Sequence, residues 1–152
     1  MKTVMMMVCA CAAALVLLAC ASDAQAAART AWQIKADIAV RKAFDDAMAD
    51  KVRALFTALG KGTRVKEVAV EPDGDGVLAK IKIAWVGSVI ALDYGVTVRW
   101  RFTKDAHISS DAEDFIGIGI PTDKDKRDLD DFLRTKIYPL VQADAAKPVK
   151  PE

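Results

Sequence analysis

Hydrophobic and polar residues alternate along three stretches in the middle of the chain, residues 65–72, 77–86 and 89–102. A period of two is typical of a β-strand that buries one face and exposes the other. The pattern therefore predicts an antiparallel meander with one apolar face. The turns between the strands set its register.

The first turn is the sequence Asp-Gly-Asp-Gly at residues 73–76, which favours a two-residue hairpin. A hairpin centred on the middle two of these residues places Val68 opposite Ile81 on the apolar face. It also places Glu67 opposite Lys82 on the other face.

A second two-residue turn is predicted at residues 87–88. It places Trp85 opposite Ile90 and Ile81 opposite Tyr94. Both turns send the apolar side chains to the same face, which a slip of one residue would destroy. The outer face then carries charged side chains: Glu67, Lys80, Lys82, Asp93, Arg99 and Arg101. We expect these to form a solvated, salt-bridged surface rather than an anion site.

Residues 31–59 predict a long N-terminal helix with Thr30 as its N-cap and Gly60 as its stop. The apolar positions recur mostly at helical spacing: Ile34, Ile38, Phe44, Met48, Val52, Leu55, Phe56 and Leu59. Because the period slips between Ile38 and Phe44, we expect a bend, two helical segments, or an end that projects. The mixed charges of its polar face make a membrane-binding helix the weaker interpretation.

After a polar loop at residues 103–114, residues 115–121 predict a fourth strand. Gly117 and Gly119 alternate there with isoleucines, so one face of the strand lets something approach closely. The neighbour is either a helix or loop of the same chain or a partner in a groove.

A C-terminal helix is predicted from Thr122 or Asp123. Its apolar positions are Leu129, Phe132, Leu133 and Ile137, with Leu140 beyond a kink or break at Pro139. Residues 142–152 are expected to form an extended, flexible tail. The predicted class is α+β: an antiparallel meander of about four strands, with a long N-terminal helix and a shorter C-terminal helix on one face. Residues 27–141 form its single domain.

The first 26 residues predict an export signal. Lys2 precedes an uncharged, mainly apolar run at residues 3–22. Cleavage after Ala26 would leave a soluble chain. Alternatively, the sequence Leu-Leu-Ala-Cys ending at Cys20 resembles the lipobox of bacterial lipoproteins, which implies a lipid on Cys20. The expected location is the periplasm or, for the lipoprotein, the outer membrane.

Composition excludes several classes of protein. Of 152 residues, 53% are hydrophobic, and 22 basic side chains nearly balance 21 acidic ones. A disordered chain would contain fewer apolar residues, and a nucleic-acid module would usually contain an excess of basic ones. The three cysteines all lie in the leader, so the mature chain forms no disulfide.

Catalytic chemistry has few candidates in the mature chain. His107 is the only histidine and lies in the predicted polar loop, so we expect a surface residue. The serines at positions 88, 109 and 110 lack a nucleophile-elbow context. Asp123, Asp125 and Asp128 are better explained as acids in a first helical turn than as calcium ligands. We predict no catalytic residue, metal or cofactor.

Three functions remain open from sequence. The first is a non-catalytic binding or adaptor protein of the bacterial envelope, with an unknown protein partner, no nucleic acid, and membrane contact only through a lipid on Cys20. The second is a carrier of a small apolar ligand, in a cone lined by Trp85, Tyr94, Trp100 and Ile118, although inward aromatics are more often simple core. The third is a carboxylate-dependent hydrolase.

Overall fold

The computed structural model describes residues 28–56, 60–87, 93–114 and 121–148. Its elements in chain order are α1 Ala31–Ala43, α2 Asp46–Leu55, β1 Gly60–Asp73, β2 Gly76–Gly87, β3 Asp93–Phe102, β4 His107–Asp114, α3 Asp123–Phe132, a π-helical stretch Leu133–Ile137, and α4 Tyr138–Ala146. The strands form one antiparallel sheet in the order β1-β2-β3-β4. The predicted α+β class is confirmed.

One hydrophobic core lies between the helices and a single face of the sheet. The inward side chains of β2 and β3 alternate with less buried ones, as the sequence predicts, except that Ala84 on the other face is also buried. The inward ones are Val77, Ala79, Ile81, Ile83 and Trp85 from β2, with Val96, Val98, Trp100 and Phe102 from β3. Against them pack buried residues of the helices, among them Val40, Val52, Leu129, Leu133 and Val141.

From Glu67 to Asp73 the register between β1 and β2 is the predicted one, and it shifts at irregularities between Val65 and Glu67 and between Lys61 and Arg64. Val68 pairs with Ile81, and Glu67 pairs with Lys82, whose side chains form an ion pair at 2.6 Å. Gly74 provides the left-handed backbone of the turn, with a φ of 62°. The Gly-Asp turn therefore determines this pairing.

The predicted register between β2 and β3 is wrong. Trp85 pairs with Tyr94 rather than Ile90, and Ile81 pairs with Val98 rather than Tyr94. The described pairing is displaced by four residues from the predicted one, and Ser88 of the predicted turn and the predicted partner Ile90 lie outside the described residues. Since four is an even number, the paired residues from Ala79 to Trp85 keep their predicted faces.

The sheet's fourth strand differs from the prediction. Residues 107–114, expected to be a loop, form β4, in which Ala112 pairs with Val98 and Ser110 with Trp100. Polar residues suit this strand because α3 supplies hydrogen-bond partners for its inward face. Residues 115–120, including Gly117, Ile118 and Gly119, lie outside the described residues, so the close-approach prediction stays a prediction.

The N-terminal helix consists of two segments, one of the predicted alternatives. Thr30 caps α1 as predicted, with its hydroxyl accepting from the N–H of Gln33 at 3.2 Å. Asp45 caps α2 by accepting from the N–H of Met48 at 2.7 Å. Gly60 is the first residue of β1, not the helix stop. A Cβ atom there would lie 2.3 Å from Cδ1 of Trp85.

The rotation of α1 about its axis is unexpected. Its buried face carries Gln33, Ala36 and Val40, whereas Ile34 and Ile38 are 49% and 62% exposed. The amide of Gln33 explains this orientation. Its Nε2 donates to the carbonyls of Gly74 and Gly76, at 3.1 and 2.8 Å, and its Oε1 accepts from the N–H of Thr30 at 2.9 Å.

The C-terminal helix is longer than predicted. It begins at Asp123 behind the Thr122 cap and continues to Ala146, so residues 142–146 are helical rather than part of a tail. The π-helical stretch precedes Pro139, which has no N–H to donate to the preceding turn. Val141 is buried and Leu140 exposed, the reverse of the expected stripe. Among the described residues, no helix has the length and apolar character needed to cross a bilayer.

Replacing Gln33 tests the contact that orients α1. Gln33→Ala should lower the free energy of unfolding by about 1–3 kcal/mol, because it removes the partner of buried carbonyl groups. Its exposed neighbour provides the control, since Ile34→Ala should change stability by less than about 0.5 kcal/mol. Urea denaturation measures both values. Equal losses would contradict the orienting role of Gln33.

Candidate functional site

The aromatic residues proposed from sequence to line a cavity lie in the core or at its border. The ring centroids of Trp100 and Phe102 are 4.1 Å apart. Trp85 stacks on Phe56 with 6.4 Å between the ring centroids. Tyr94, half-buried, is the cross-strand neighbour of Trp85. None of these residues lines the cavities described below, and Ile118 lies outside the described residues. Core packing accounts for Trp85 and Trp100.

His107 is not the surface residue expected from sequence, because its side chain is only 6% exposed. The indole N–H of Trp100 lies 3.0 Å from its Nδ1, and Asp130 Oδ1 of α3 lies 2.9 Å from its Nε2. The same carboxylate oxygen accepts from the hydroxyl and the backbone N–H of Ser110, at 2.8 and 3.0 Å.

Serine, histidine and aspartate thus meet here, but their hydrogen bonds differ from those of a catalytic triad. An indole N–H can only donate, so Nδ1 of His107 accepts and Nε2 carries the proton toward Asp130. The imidazole has no free nitrogen to deprotonate Ser110, whose hydroxyl donates directly to the carboxylate. The group links β3, β4 and α3 and has a structural role.

The acid in this cluster is held in its ionised form. Burial disfavours the charge on Asp130. The hydrogen bonds from Ser110 and His107 outweigh that effect, and they lower the pKa of the carboxyl below its usual value. The charge therefore holds its donors firmly, which favours a fixed junction between β4 and α3.

The outer face of the sheet is salt-bridged, as predicted. Each of the four basic side chains singled out there has an acidic partner. Three partners lie on a neighbouring strand: Lys80 with Glu71, Lys82 with Glu67, and Arg99 with Glu113. Arg101 of β3 pairs with Asp73 at the end of β1, beyond β2. Asp93 pairs with Val86 at the strand end and not beside Lys82. With its bases paired, this face offers little to an anion.

A groove of about 600 Å³ lies between α1, α4 and the turn that joins β3 to β4. We call it the helix groove. Small and apolar side chains form most of its walls, and polar ones lie among them. The lining residues are Ala31, Trp32 and Lys35 from α1, Lys104 and Asp105 from the turn, and Pro139, Gln142, Ala143, Ala145 and Ala146 from α4.

Hydrogen bonds fix the walls of the helix groove. The hydroxyl of Tyr138 lies 3.2 Å from the carbonyl oxygens of both Thr103 and Lys104, and Nε2 of Gln142 donates to the Lys104 carbonyl at 3.0 Å. Burial, followed by the charge of Asp105, raises the pKa of the Tyr138 hydroxyl, which therefore stays a donor. The turn is bound to α4 on one side of the groove.

On the other wall, Trp32 lies edge-on to Phe102, with 6.1 Å between the ring centroids. This contact anchors one part of the indole in the core, and the half-buried remainder lines the groove. An aromatic side chain fixed in this way offers a rigid apolar surface to a ligand.

A second cavity of about 260 Å³ lies beside the helix groove and shares Lys35 with it. The ammonium group of Lys35 donates to the carbonyl of Lys147 at 3.1 Å. Asp144 of α4 pairs with Lys42 of α1 at 2.8 Å and also with Lys147. These contacts hold the end of α4 against α1.

The sequence does not predict the groove, because it predicts residues 142–146 to be part of a flexible tail. The run Gln-Ala-Asp-Ala-Ala there consists mostly of residues compatible with a helix, with alanine the strongest helix former. That composition was the available signal. The pairing of α4 with α1 depends on contacts about a hundred residues apart in the chain, such as Lys42 with Asp144, separated by 102 positions.

Removing His107 should destabilise the protein. His107→Ala leaves the buried indole N–H of Trp100 without its acceptor and should cost about 1–3 kcal/mol of unfolding free energy. Ser109→Ala, an exposed position on the same strand, is the matched control and should cost less than about 0.5 kcal/mol. Chemical denaturation compares the two. If His107→Ala left the free energy of unfolding unchanged, the structural role of His107 would be refuted.

The stability that Asp144 contributes through its contacts with two lysines should be lost only in strong acid. Hydrogen bonds from Lys147 and Lys42 lower its pKa from 3.8 to about 2. A lowered pKa stabilises the folded state above the unfolded value, and this contribution disappears as the pH falls from 3.8 through about 2. The stability difference between the wild type and Asp144→Asn should therefore shrink across that window. A difference independent of pH would contradict the assignment.

Comparisons of the chain with protein-family models, with curated proteins and with solved structures found no match in any of the three. A functional assignment therefore depends on the geometry of this molecule alone. The helix groove is the described site whose walls are both fixed and open to a ligand.

Proposed function

We propose that the protein is an exported, non-catalytic binding module of the bacterial envelope that takes an apolar ligand in the helix groove. The observation that carries this proposal is the groove itself. Its volume of about 600 Å³ falls within the usual range of small-ligand sites, about 300–1,000 Å³.

The groove's lining favours binding over catalysis. Its titratable side chains are Lys35, Lys104 and Asp105, and no serine or histidine is among its lining residues. The one cluster of serine, histidine and aspartate described above uses its hydrogen bonds to join strands to a helix. A carboxylate-dependent hydrolase would need a second acid near Asp105, which the lining does not supply.

A carrier of a small apolar ligand is a narrower form of the same proposal, and the same groove supports it. The walls are formed largely by Trp32, Pro139 and the alanines of α4. This site lies between two helices, whereas the sequence favoured a cone between sheet and helix. Packed aromatic rings already occupy that interior.

Export is part of the proposal because of the leader at residues 1–26. Two mature forms are compatible with it. One carries a lipid on Cys20 and would stay at a membrane surface, and the other begins at Ala27 and would be free in the periplasm. Both contain every described residue.

The chain from Ala27 is the appropriate unit for a binding test, because the described hydrophobic core lies between Ala36 and Ala145. We expect it to bind N-phenyl-1-naphthylamine, a neutral apolar dye that fluoresces in apolar sites. Ala143→Phe fills the groove from α4 and should weaken dye binding by about tenfold or more, equivalent to about 1.4 kcal/mol.

The matched control is Ala47→Phe, the same substitution at an exposed alanine of α2 outside the groove. It should leave dye affinity unchanged, and both variants should melt close to the wild type. No saturable dye binding by the wild type, or equal losses in the two variants, would refute the groove as the binding site.

A further inference from the structure

The face of α1 that points away from the core is apolar at its centre. Ile34 and Ile38 lie one helical turn apart and are 49% and 62% exposed, whereas Ala36 and Val40 on the opposite face are fully buried. At about 100° per residue, the two isoleucines form one stripe. We call this stripe, together with the basic residues beside it, the α1 outer face. Those residues are Arg29, Lys35, Arg41, Lys42 and Lys147.

The isoleucines are held in this position. Gln33 fixes the rotation of α1 through its bonds to the carbonyls of Gly74 and Gly76. Turning the isoleucines inward would break these bonds and bury charged neighbours. The two isoleucines therefore form a fixed apolar stripe on the surface of the protein.

A cationic cluster borders the stripe on one side. Asp37 lies between Arg29 and Arg41, at 2.8 and 2.6 Å. The acid is the inner member of the group, since its side chain is 16% exposed against 39% and 53% for the two arginines. Arg29 also donates to the carbonyl of Val70 at 2.6 Å, so Arg41 is the more outward of the two positive groups.

The other side of the stripe has the same arrangement. Asp144 lies between Lys42 and Lys147, with 26% of the acid exposed against 68% of each lysine. Lys35 adds a positive charge that is bonded only to the Lys147 carbonyl among the contacts described. Five basic side chains against two acidic ones give the α1 outer face a net formal charge of +3.

We propose that the α1 outer face docks on an anionic phospholipid surface, with Ile34 and Ile38 entering the headgroup boundary between two cationic borders. The charges within the helix sequence are mixed, but the fold adds Arg29 and Lys147, which lie outside α1, to this face. The apolar stripe is then flanked by an excess of basic residues, as in helices that lie in this interface. Anionic lipids attract exposed lysines and arginines within a Debye length. Since the whole chain has a net charge of +1, the residues outside this face sum to a net charge of −2.

The position of α1 in the chain suits this role. It is the first described helix, and Cys20 lies eleven residues before Ala31. An extended connection of that length spans at most about 36–40 Å, so a lipid on Cys20 would keep α1 close to a bilayer. One acyl anchor alone binds weakly and gains from a second contact. Docking on lipid is nevertheless independent of the helix groove and of how the leader is cut.

Site-specific labelling can test the contact directly. Residues 21–152 contain no cysteine, so a single introduced cysteine in the chain from Ala27 can carry the dye NBD, whose fluorescence rises in an apolar environment. Ile38→Cys places it on the α1 outer face. Ile108→Cys, 58% exposed on β4, is the matched control.

With phosphatidylcholine vesicles that contain phosphatidylglycerol, the dye at position 38 should brighten and shift to the blue. The dye at position 108 should not respond. Vesicles of phosphatidylcholine alone should give little response at either position. Equal responses at both positions, or none at position 38, would overturn the proposal.

Flotation with the same vesicles provides a label-free test. The double variant Ile34→Ser, Ile38→Ser should reduce the vesicle-bound fraction by about tenfold. The control double variant Ile108→Ser, Leu140→Ser removes equally exposed apolar side chains elsewhere and should bind like the wild type. The wild type and both double variants should have the same melting temperature. If the α1 variant instead dissociates a wild-type dimer in solution and flotation is unchanged, the face is a self-association surface and the proposal fails.

Discussion

The amide of Gln33 determines how the first helix lies on the sheet, and much of the surface follows from it. Burying an amide without partners is unfavourable, so the three hydrogen bonds that Gln33 makes require one rotation of α1. In that rotation Trp32 reaches the rim of the core and Ile34 faces outward. The groove wall and the α1 outer face are therefore two consequences of one buried contact.

The sequence predicted what local chemistry determines. The Gly-Asp turn established the register of β1 and β2, and alternation assigned the faces of β2 and β3 correctly even where the register was displaced. Hydropathy misplaced Ile34 because it ranks isoleucine as interior and glutamine as exterior. Only the distant carbonyls of Gly74 and Gly76 make the reverse arrangement favourable, and no local pattern reveals them.

The same reasoning explains why the sequence predicts a loop at residues 107–114, where the structure has β4. Serine and aspartate have low strand propensity, and the inward face of β4 is acceptable only because Asp130 of α3 bonds Ser110 and His107. The predicted site residues Trp85 and Trp100 were placed on the correct face but serve as core. The helix groove depends on residues 142–146, which the sequence predicts as tail, and on their pairing with α1 through distant contacts such as Lys42 with Asp144.

Contacts at both edge strands favour the helices as the binding surface. The N–H of Val65 on β1 donates to Asp46 at 2.8 Å, and the carbonyl of Val70 accepts from Arg29 at 2.6 Å. On β4 the N–H of Ser110 donates to Asp130. Backbone groups bonded in this way are poor templates for an added strand. With the outer sheet face salt-bridged as well, these contacts support our proposal that α1 and α4 form the binding surface.

The two proposed surfaces share a helix but depend on different forces, which makes them separable. A ligand in the helix groove is held mainly by removal of apolar area from water, which added salt does not weaken. Docking of the α1 outer face depends partly on exposed positive charges, and salt screens these. Lys35 belongs to both regions. Its charge should therefore matter for docking on lipid and much less for a neutral dye in the groove, because only the lipid surface carries the opposite charge.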